Sequence, residues 1–128
     1  MGLRDQKTSE LKRLLKSFAF AWAGIKDVYR RERNFQIHCF AMVLAAAAGF
    51  ILQITVSEWY LIIGSIGAVL SLELMNTAIE RTVDLAVSEY HPLAKAAKDA
   101  AAGAVFIAAL AALILGLLIF VPKLINFI

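Results

Sequence analysis

Charge is scarce in this chain. Asp, Glu, Lys and Arg together make up 18% of 128 residues, against about a quarter in ordinary soluble domains. Cysteine occurs once, as Cys39, and proline twice. A single cysteine excludes an internal disulfide framework. Cys39 sits inside an apolar run and reads as a small buried hydrophobe. There is no internal repeat, and no low-complexity tract beyond an alanine bias. No nucleic-acid-binding module or turn-separated recognition helix is visible, so nucleic acid is excluded as a partner. Histidine is limited to His38 and His91, which gives little support to metal binding through imidazoles. For His38, one turn inside an apolar run, a hydrogen bond to a neighbouring helix is expected.

What the chain has is apolar length. Hydrophobic residues make up 61%, and three windows raise the question of membrane spanning. Residues 35–54 carry no charged residue and have Gln36, His38 and Gln53 as their strongly polar members. Residues 59–72 are uncharged, and so are residues 100–121. A helical span needs about 20 residues, so the first and third qualify directly. The middle one qualifies if the helix continues into the charged stretch that follows, giving spans at 35–54, 59–87 and 98–121. The fold class is an all-α integral membrane protein: an N-terminal amphipathic surface helix followed by three transmembrane helices.

The basic residues set the expected orientation. Residues 1–34 hold nine Lys/Arg against four Asp/Glu, which places the N-terminus inside. Lys95 and Lys98, between spans two and three, obey the same rule. The turn at 55–58 and the C-terminus with Lys123 then lie outside, giving N-in/C-out. The basic excess suits anionic headgroups or phosphates as neighbours.

Along the first segment, Leu11, Leu15, Phe18, Trp22, Ile25 and Tyr29 recur at steps of 4 and 3, with Lys12, Arg13, Lys16 and Lys26 beside them. This pattern predicts a helix over 10–31 lying in the membrane interface, with 1–9 frayed and Ser9 available as its cap. It is not a signal peptide, because charges interrupt the apolar residues. Residues 29–34 form a polar hinge carrying Glu32 among arginines. Ser57 is expected to cap span two, with Trp59 and Tyr60 as interface anchors. Gly49, Gly64 and Gly67 suggest close helix approaches, and span three carries Gly103 and Gly116. Pro92 breaks the second helix and can open the next at its first turn, while Pro122 closes span three.

The most informative stretch is 73–84, ELMNTAIERTVD. No turn signal separates it from span two. Glu73, Asn76, Glu80 and Asp84 are spaced by 3, 4 and 4, so they share one helix face. Over those steps the helix rises roughly 16 Å. Ionisable residues at membrane depth are costly and usually face protein or a wet cavity. Glu73 is deepest and Asp84 nearest the inner surface. The outer half of the same span offers no matching polar path, with Ser65 and Ser71 as weak candidates.

A one-sided polar face suits a water-soluble reactant arriving from one side and a lipid arriving laterally. Magnesium takes oxygen ligands and commonly bridges substrate phosphates through one or two carboxylates, and Glu80 with Glu32 supplies such carboxylates. Lys98 can hold phosphates, and Glu73 can take a proton from a lipid alcohol. No glycine-rich phosphate loop or soluble kinase signature is present. A small ion or proton transporter, or a polar seam serving a structural membrane bundle, remains open on spacing alone.

The ELMNTAIERTVD stretch resembles the signature of the small prokaryotic diacylglycerol kinases, a family that includes undecaprenol kinases. Ser88, Glu89, Tyr90 and His91 match it further on, as do Ala97, Lys98 and Asp99 with Ala104 and Val105, and Glu32 and Phe35 at the entry to span one. The resemblance runs from about residue 14 to 120 and implies a homotrimer with sites shared between subunits. It implies ATP- and Mg2+-dependent phosphorylation of a membrane lipid alcohol, at the cell inner (cytoplasmic) membrane with the active site facing the cytoplasm. By position, Glu73 would be the catalytic base and Asn76 would support it. Glu32 and Glu80 would hold metal. Glu89, His91, Lys98 and Asp99 would contact the nucleotide, with Arg13 approaching from the surface helix, and Asp84 would order its end of the helix. His38 and Ala102 stand where the Gram-negative members have a carboxylate and a serine. Residues 34–38 and 91–95 look like the Gram-positive, undecaprenol kinase branch. Undecaprenol is therefore the expected substrate and diacylglycerol the alternative.

Overall fold

The computed structural model describes residues 3–127, with side chains from residue 9 onward. Four helices follow one another: α1 (Leu3–Arg31), α2 (Arg33–Ile51), α3 (Val56–Ala86) and α4 (Pro92–Phe127). The chain divides into two units, Met1–Arg33 and Asn34–Ile128. Three helices, α2 to α4, are long and apolar enough to cross a membrane.

In the first unit, α1 starts at Leu3 and passes straight through Ser9. Ser9 is therefore not a cap, and the helix begins earlier than the expected residue 10. No glycine or proline separates residues 3 and 9, so nothing there stops the helix. Leu11, Leu15, Phe18 and Trp22 are all exposed, as an amphipathic helix lying on a lipid surface requires. Arg30 and Arg31 occupy its last turn, where cations complement the helix dipole. Arg31 Nε also donates to Asp27 Oδ1 at 2.8 Å.

In the second unit, α3 and α4 run side by side with Cα–Cα approaches within 8 Å. Between α2 and the α3–α4 pair lies an apolar cleft of about 750 Å3, lined by residues such as Ala41, Ala45, Val69, Phe106 and Leu113. At one end of the bundle, Ile54, Ile62 and Ile119 form a small core with Trp59, Ile66, Leu115 and Phe120 packed against it.

The α2–α3 connection is specified in detail. Ile54 N donates to Gly49 O (3.1 Å) and Gln53 N to Phe50 O (3.4 Å), with Gln53 at φ 49°. These two bonds and the left-handed residue make a Schellman ending. Thr55, rather than Ser57, caps α3: Glu58 N donates to Thr55 Oγ1 at 3.3 Å and Thr55 N to Glu58 Oε2 at 2.6 Å. Thr55 and Glu58 stand three apart, the spacing of a reciprocal capping box, whereas Ser57 is already inside the first turn. Lys123 Nζ of α4 reaches Glu58 Oε2 at 3.1 Å and ties that helix to the same corner.

Three further expectations change. Trp59 is half-buried and packs against the Ile54–Ile62–Ile119 core, with its ring centroid 4.9 Å from that of the exposed Phe50, while Tyr60 is the exposed one of the two expected anchors. Pro122 does not close the last helix, which runs to Phe127. A proline removes one backbone donor, a loss that long apolar helices tolerate. Of the glycines expected to allow close approach, Gly49 does so: an added Cβ would lie 2.8 Å from Trp59 Cη2. At Gly64, Gly67 and Gly103 no such neighbour stands within 4 Å in this chain.

Candidate functional site

The polar face of α3 forms as its spacing predicts. Ile62, Val69, Glu73 and Thr77 are the buried residues of α3, and Glu73 is only 4% exposed. Val69, one turn before Glu73, also lines the apolar cleft. The carboxylate therefore lies where lipid-like volume meets the polar half of the helix. Across the cleft from α2, His38 Nε2 comes within 3.1 Å of Glu73 Oε1. This is an interhelical polar contact at the position where a hydrogen bond was expected for His38.

Asn76 Nδ2 donates to Glu80 Oε1 at 2.9 Å, Glu80 lying one turn on along the same face. Asn76 Oδ1 is buried and has no hydrogen-bond partner. Turning the amide over would set its oxygen against the Glu80 carboxylate, so the amide orientation follows from the bond to Glu80. Glu80 is half-buried.

Farther along, Asp84 Oδ1 accepts from Lys98 Nζ of α4 at 2.6 Å. This pair links the polar end of α3 to α4. Lys98 and Asp84 line a polar pocket of about 270 Å3 with Glu89, His91, Lys95 and Asp99. Lys95 Nζ is hydrogen-bonded to Asp99, so the pocket wall alternates acid and base. His91 precedes Pro92, the first residue of α4, and its Nδ1 accepts from Leu93 N at 3.2 Å. That side-chain cap leaves Nε2 to carry the proton of a neutral ring. Four of the expected nucleotide contacts, Glu89, His91, Lys98 and Asp99, thus share one pocket.

Arg13 and Glu32 belong to the first unit. Arg13 is exposed on α1. Glu32 stands between α1 and α2, its backbone N donating to Val28 O at 2.8 Å.

Among the described residues, no three His, Cys, Asp or Glu side chains gather to hold a metal ion by themselves. Magnesium usually takes one or two carboxylates and completes its shell with phosphate oxygens and water. A half-buried Glu80 oriented by Asn76 fits that demand. The cross-helix His38–Glu73 contact needed tertiary structure to identify its partner; the sequence signal was a histidine one turn inside an apolar run.

A sequence model of the prokaryotic diacylglycerol kinases matches residues 19–120. The chain belongs to that family. It is a multi-pass membrane lipid kinase with ATP as phosphoryl donor. It is 53% identical over 124 residues to the undecaprenol kinase of Bacillus subtilis (strain 168), covering 97% of this chain and 100% of that relative. It is 44% identical over 114 residues to a diacylglycerol kinase of Synechocystis, covering 88% of this chain and 65% of that protein. With the diacylglycerol kinase of Escherichia coli (strain K12) it shares 34% over 107 residues, 84% of this chain and 88% of the relative.

Proposed function

We propose that this lipid kinase acts on undecaprenol, transferring phosphate to its primary hydroxyl in an ATP- and Mg2+-dependent reaction. The observation that carries the chemistry is the single polar face of α3. It runs from a buried Glu73 beside an apolar cleft to a polar pocket at the other end of the face. A chain-bearing alcohol suits the first end and a nucleotide the second.

In this reading Glu73 takes the hydroxyl proton as the alcohol oxygen attacks the γ-phosphorus. The new bond is P–O to the lipid, and the bond that breaks is the one to ADP. Lys98 and His91 present donors to the phosphates or base of ATP. Glu89 and Asp99 complete the nucleotide contacts, and Arg13 approaches from α1. Glu80, held by Asn76, would hold magnesium together with Glu32. Bound there, the ion would supply charge neutralisation on the transferring phosphoryl group.

The assembly is proposed to be a homotrimer sharing its sites between subunits. Two features support this reading: the cleft left between α2 and the α3–α4 pair, and the unpartnered Asn76 Oδ1. The charge distribution supports N-in/C-out spans in the cell inner membrane, with the site facing the cytoplasm.

The likeness to the Bacillus protein over its whole length favours undecaprenol. The Synechocystis and E. coli relatives keep diacylglycerol as the second reading. The deciding assay is ATP-dependent phosphorylation of the two lipids side by side in mixed micelles, compared by kcat/KM. Preference for undecaprenol supports the proposal, preference for diacylglycerol selects the second reading, and no product from either lipid contradicts both.

A further inference from the structure

Two lysines line the polar pocket at the end of the α3 face, and they are held in different ways. Lys95 is hydrogen-bonded to Asp99, one turn on along α4 itself. Lys98 reaches across to α3, its Nζ donating to Asp84 Oδ1 at 2.6 Å between residues 14 apart in sequence. The side chain of Lys98 is 35% exposed and that of Asp84 66%. An ion pair so open to solvent adds little to stability, so its loss should show in the site before it shows in the fold. An ammonium carries three N–H donors. Asp84 Oδ1 takes one of them, and the tethered Lys98 can still hold a phosphate oxygen. Glu80 stands one turn before Asp84 on the same face, roughly 6 Å along the helix, and its carboxylate acts on the Lys98 ammonium too. The tether therefore keeps the cation close along α3 to the carboxylate proposed to hold magnesium.

We propose that Asp84 is a positioning residue for nucleotide binding: it holds the Lys98 ammonium at the wall of the polar pocket, beside the Glu80 end of the face, where it meets the phosphates of ATP. The proposal rests on the reading of Lys98 as a phosphate-holding cation. Lysine is a point charge on a flexible four-carbon stem. Ordering such a side chain only when the ligand arrives weakens binding by about twofold to tenfold, and the bond to Asp84 orders it beforehand. The sign of the effect separates positioning from plain electrostatics. Asp84 is an anion beside a site for an anion, so by Coulomb's law alone its removal would tighten ATP binding. Positioning predicts the reverse.

The test uses the full-length protein in mixed micelles. The Kd of labelled ATP with Mg2+ is measured without lipid alcohol. The KM values for ATP and for the lipid alcohol and the thermal midpoint are measured on the same preparations. Asp84→Ala removes the acceptor and is expected to raise Kd and KM for ATP about twofold to tenfold, with KM for the lipid alcohol and the midpoint close to those of the unsubstituted protein. Asp84→Asn keeps an acceptor oxygen of the same reach and is expected to show a smaller rise. Lys98→Met removes the charge and keeps most of the stem. It is expected to weaken ATP binding by itself, and adding Asp84→Ala to it should weaken binding no further. Unchanged or tighter ATP binding in Asp84→Ala would overturn the proposal, and so would a full additional loss in the double variant. A loss that follows a fall in the midpoint and extends to KM for the lipid would assign Asp84 to helix packing alone and overturn it too. If Lys98→Met binds ATP as the unsubstituted protein does, the reading of the nucleotide site itself fails, and the role of Asp84 falls with it.

Discussion

Gly49→Ala is expected to destabilise the corner where α2 meets α3. The new Cβ would lie 2.8 Å from Trp59 Cη2, 2.9 Å from Cζ2 and 3.0 Å from Ile54 Cδ1. The two nearest atoms belong to a rigid indole ring, and Ile54 Cδ1, although a side-chain end, is on a buried residue. Trp59 makes a tilted ring contact with Phe50 and packs against the core cluster, and Ile54 is buried. Relieving the overlap means moving the indole, at a typical overpacking cost of about 1–3 kcal/mol. Alanine recovers up to about 1 kcal/mol through its better helix propensity. The net expectation is therefore a loss of about 1–2 kcal/mol. The overlapping atoms belong to the six-membered ring of the indole, which Trp59→Phe withdraws. The double substitution should then be more stable than the sum of the two single effects, giving a coupling above about 0.5 kcal/mol. Reversible denaturation of the purified protein in detergent micelles measures both quantities. A Gly49→Ala protein as stable as the parent, or strict additivity in the cycle, would refute the packing argument.

Gln53→Gly should raise stability by several tenths to about 1 kcal/mol in the same assay, because Gln53 sits at φ 49°, where a side chain is penalised. Asp84→Asn should change stability by less than about 1 kcal/mol, since the Lys98 pair is solvent-exposed on the Asp84 side. The same substitution should alter KM for ATP, because it releases Lys98 within the polar pocket, and steady-state kinetics with varied ATP would detect that. Glu80→Gln should raise the Mg2+ concentration needed for half-maximal rate; an unchanged magnesium titration would remove Glu80 from the metal shell.

The first and third spans were legible as long apolar runs and the second as an uncharged run, 59–72, that continues without a turn signal into a polar stretch, and the 3, 4, 4 spacing placed Glu73, Asn76, Glu80 and Asp84 on one face. The pocket residues Glu89, His91, Lys98 and Asp99 were legible through resemblance, since they lie on both sides of a helix break. What the sequence hid depends on three-dimensional partners. Asn76 had two carboxylates within a turn, and spacing alone did not show its bond to Glu80. Among the glycines, Gly49 makes the close approach because the Schellman turn folds Ile54 and Trp59 back over it. Thr55 was the exception: its capping box with Glu58 was readable, and Ser57 drew the assignment away from it. Pro122 was read by its usual effect, although the helix continues past it.

The central claim is that Glu73 accepts the proton of the lipid hydroxyl. Its most direct test is the rate of phosphoryl transfer to undecaprenol by purified Glu73→Gln, with ATP binding and oligomeric state measured on the same sample. Glutamine keeps the size of the side chain and removes its basicity. The account predicts an intact assembly that binds ATP and makes no undecaprenyl phosphate. Turnover close to that of the unsubstituted enzyme would contradict it.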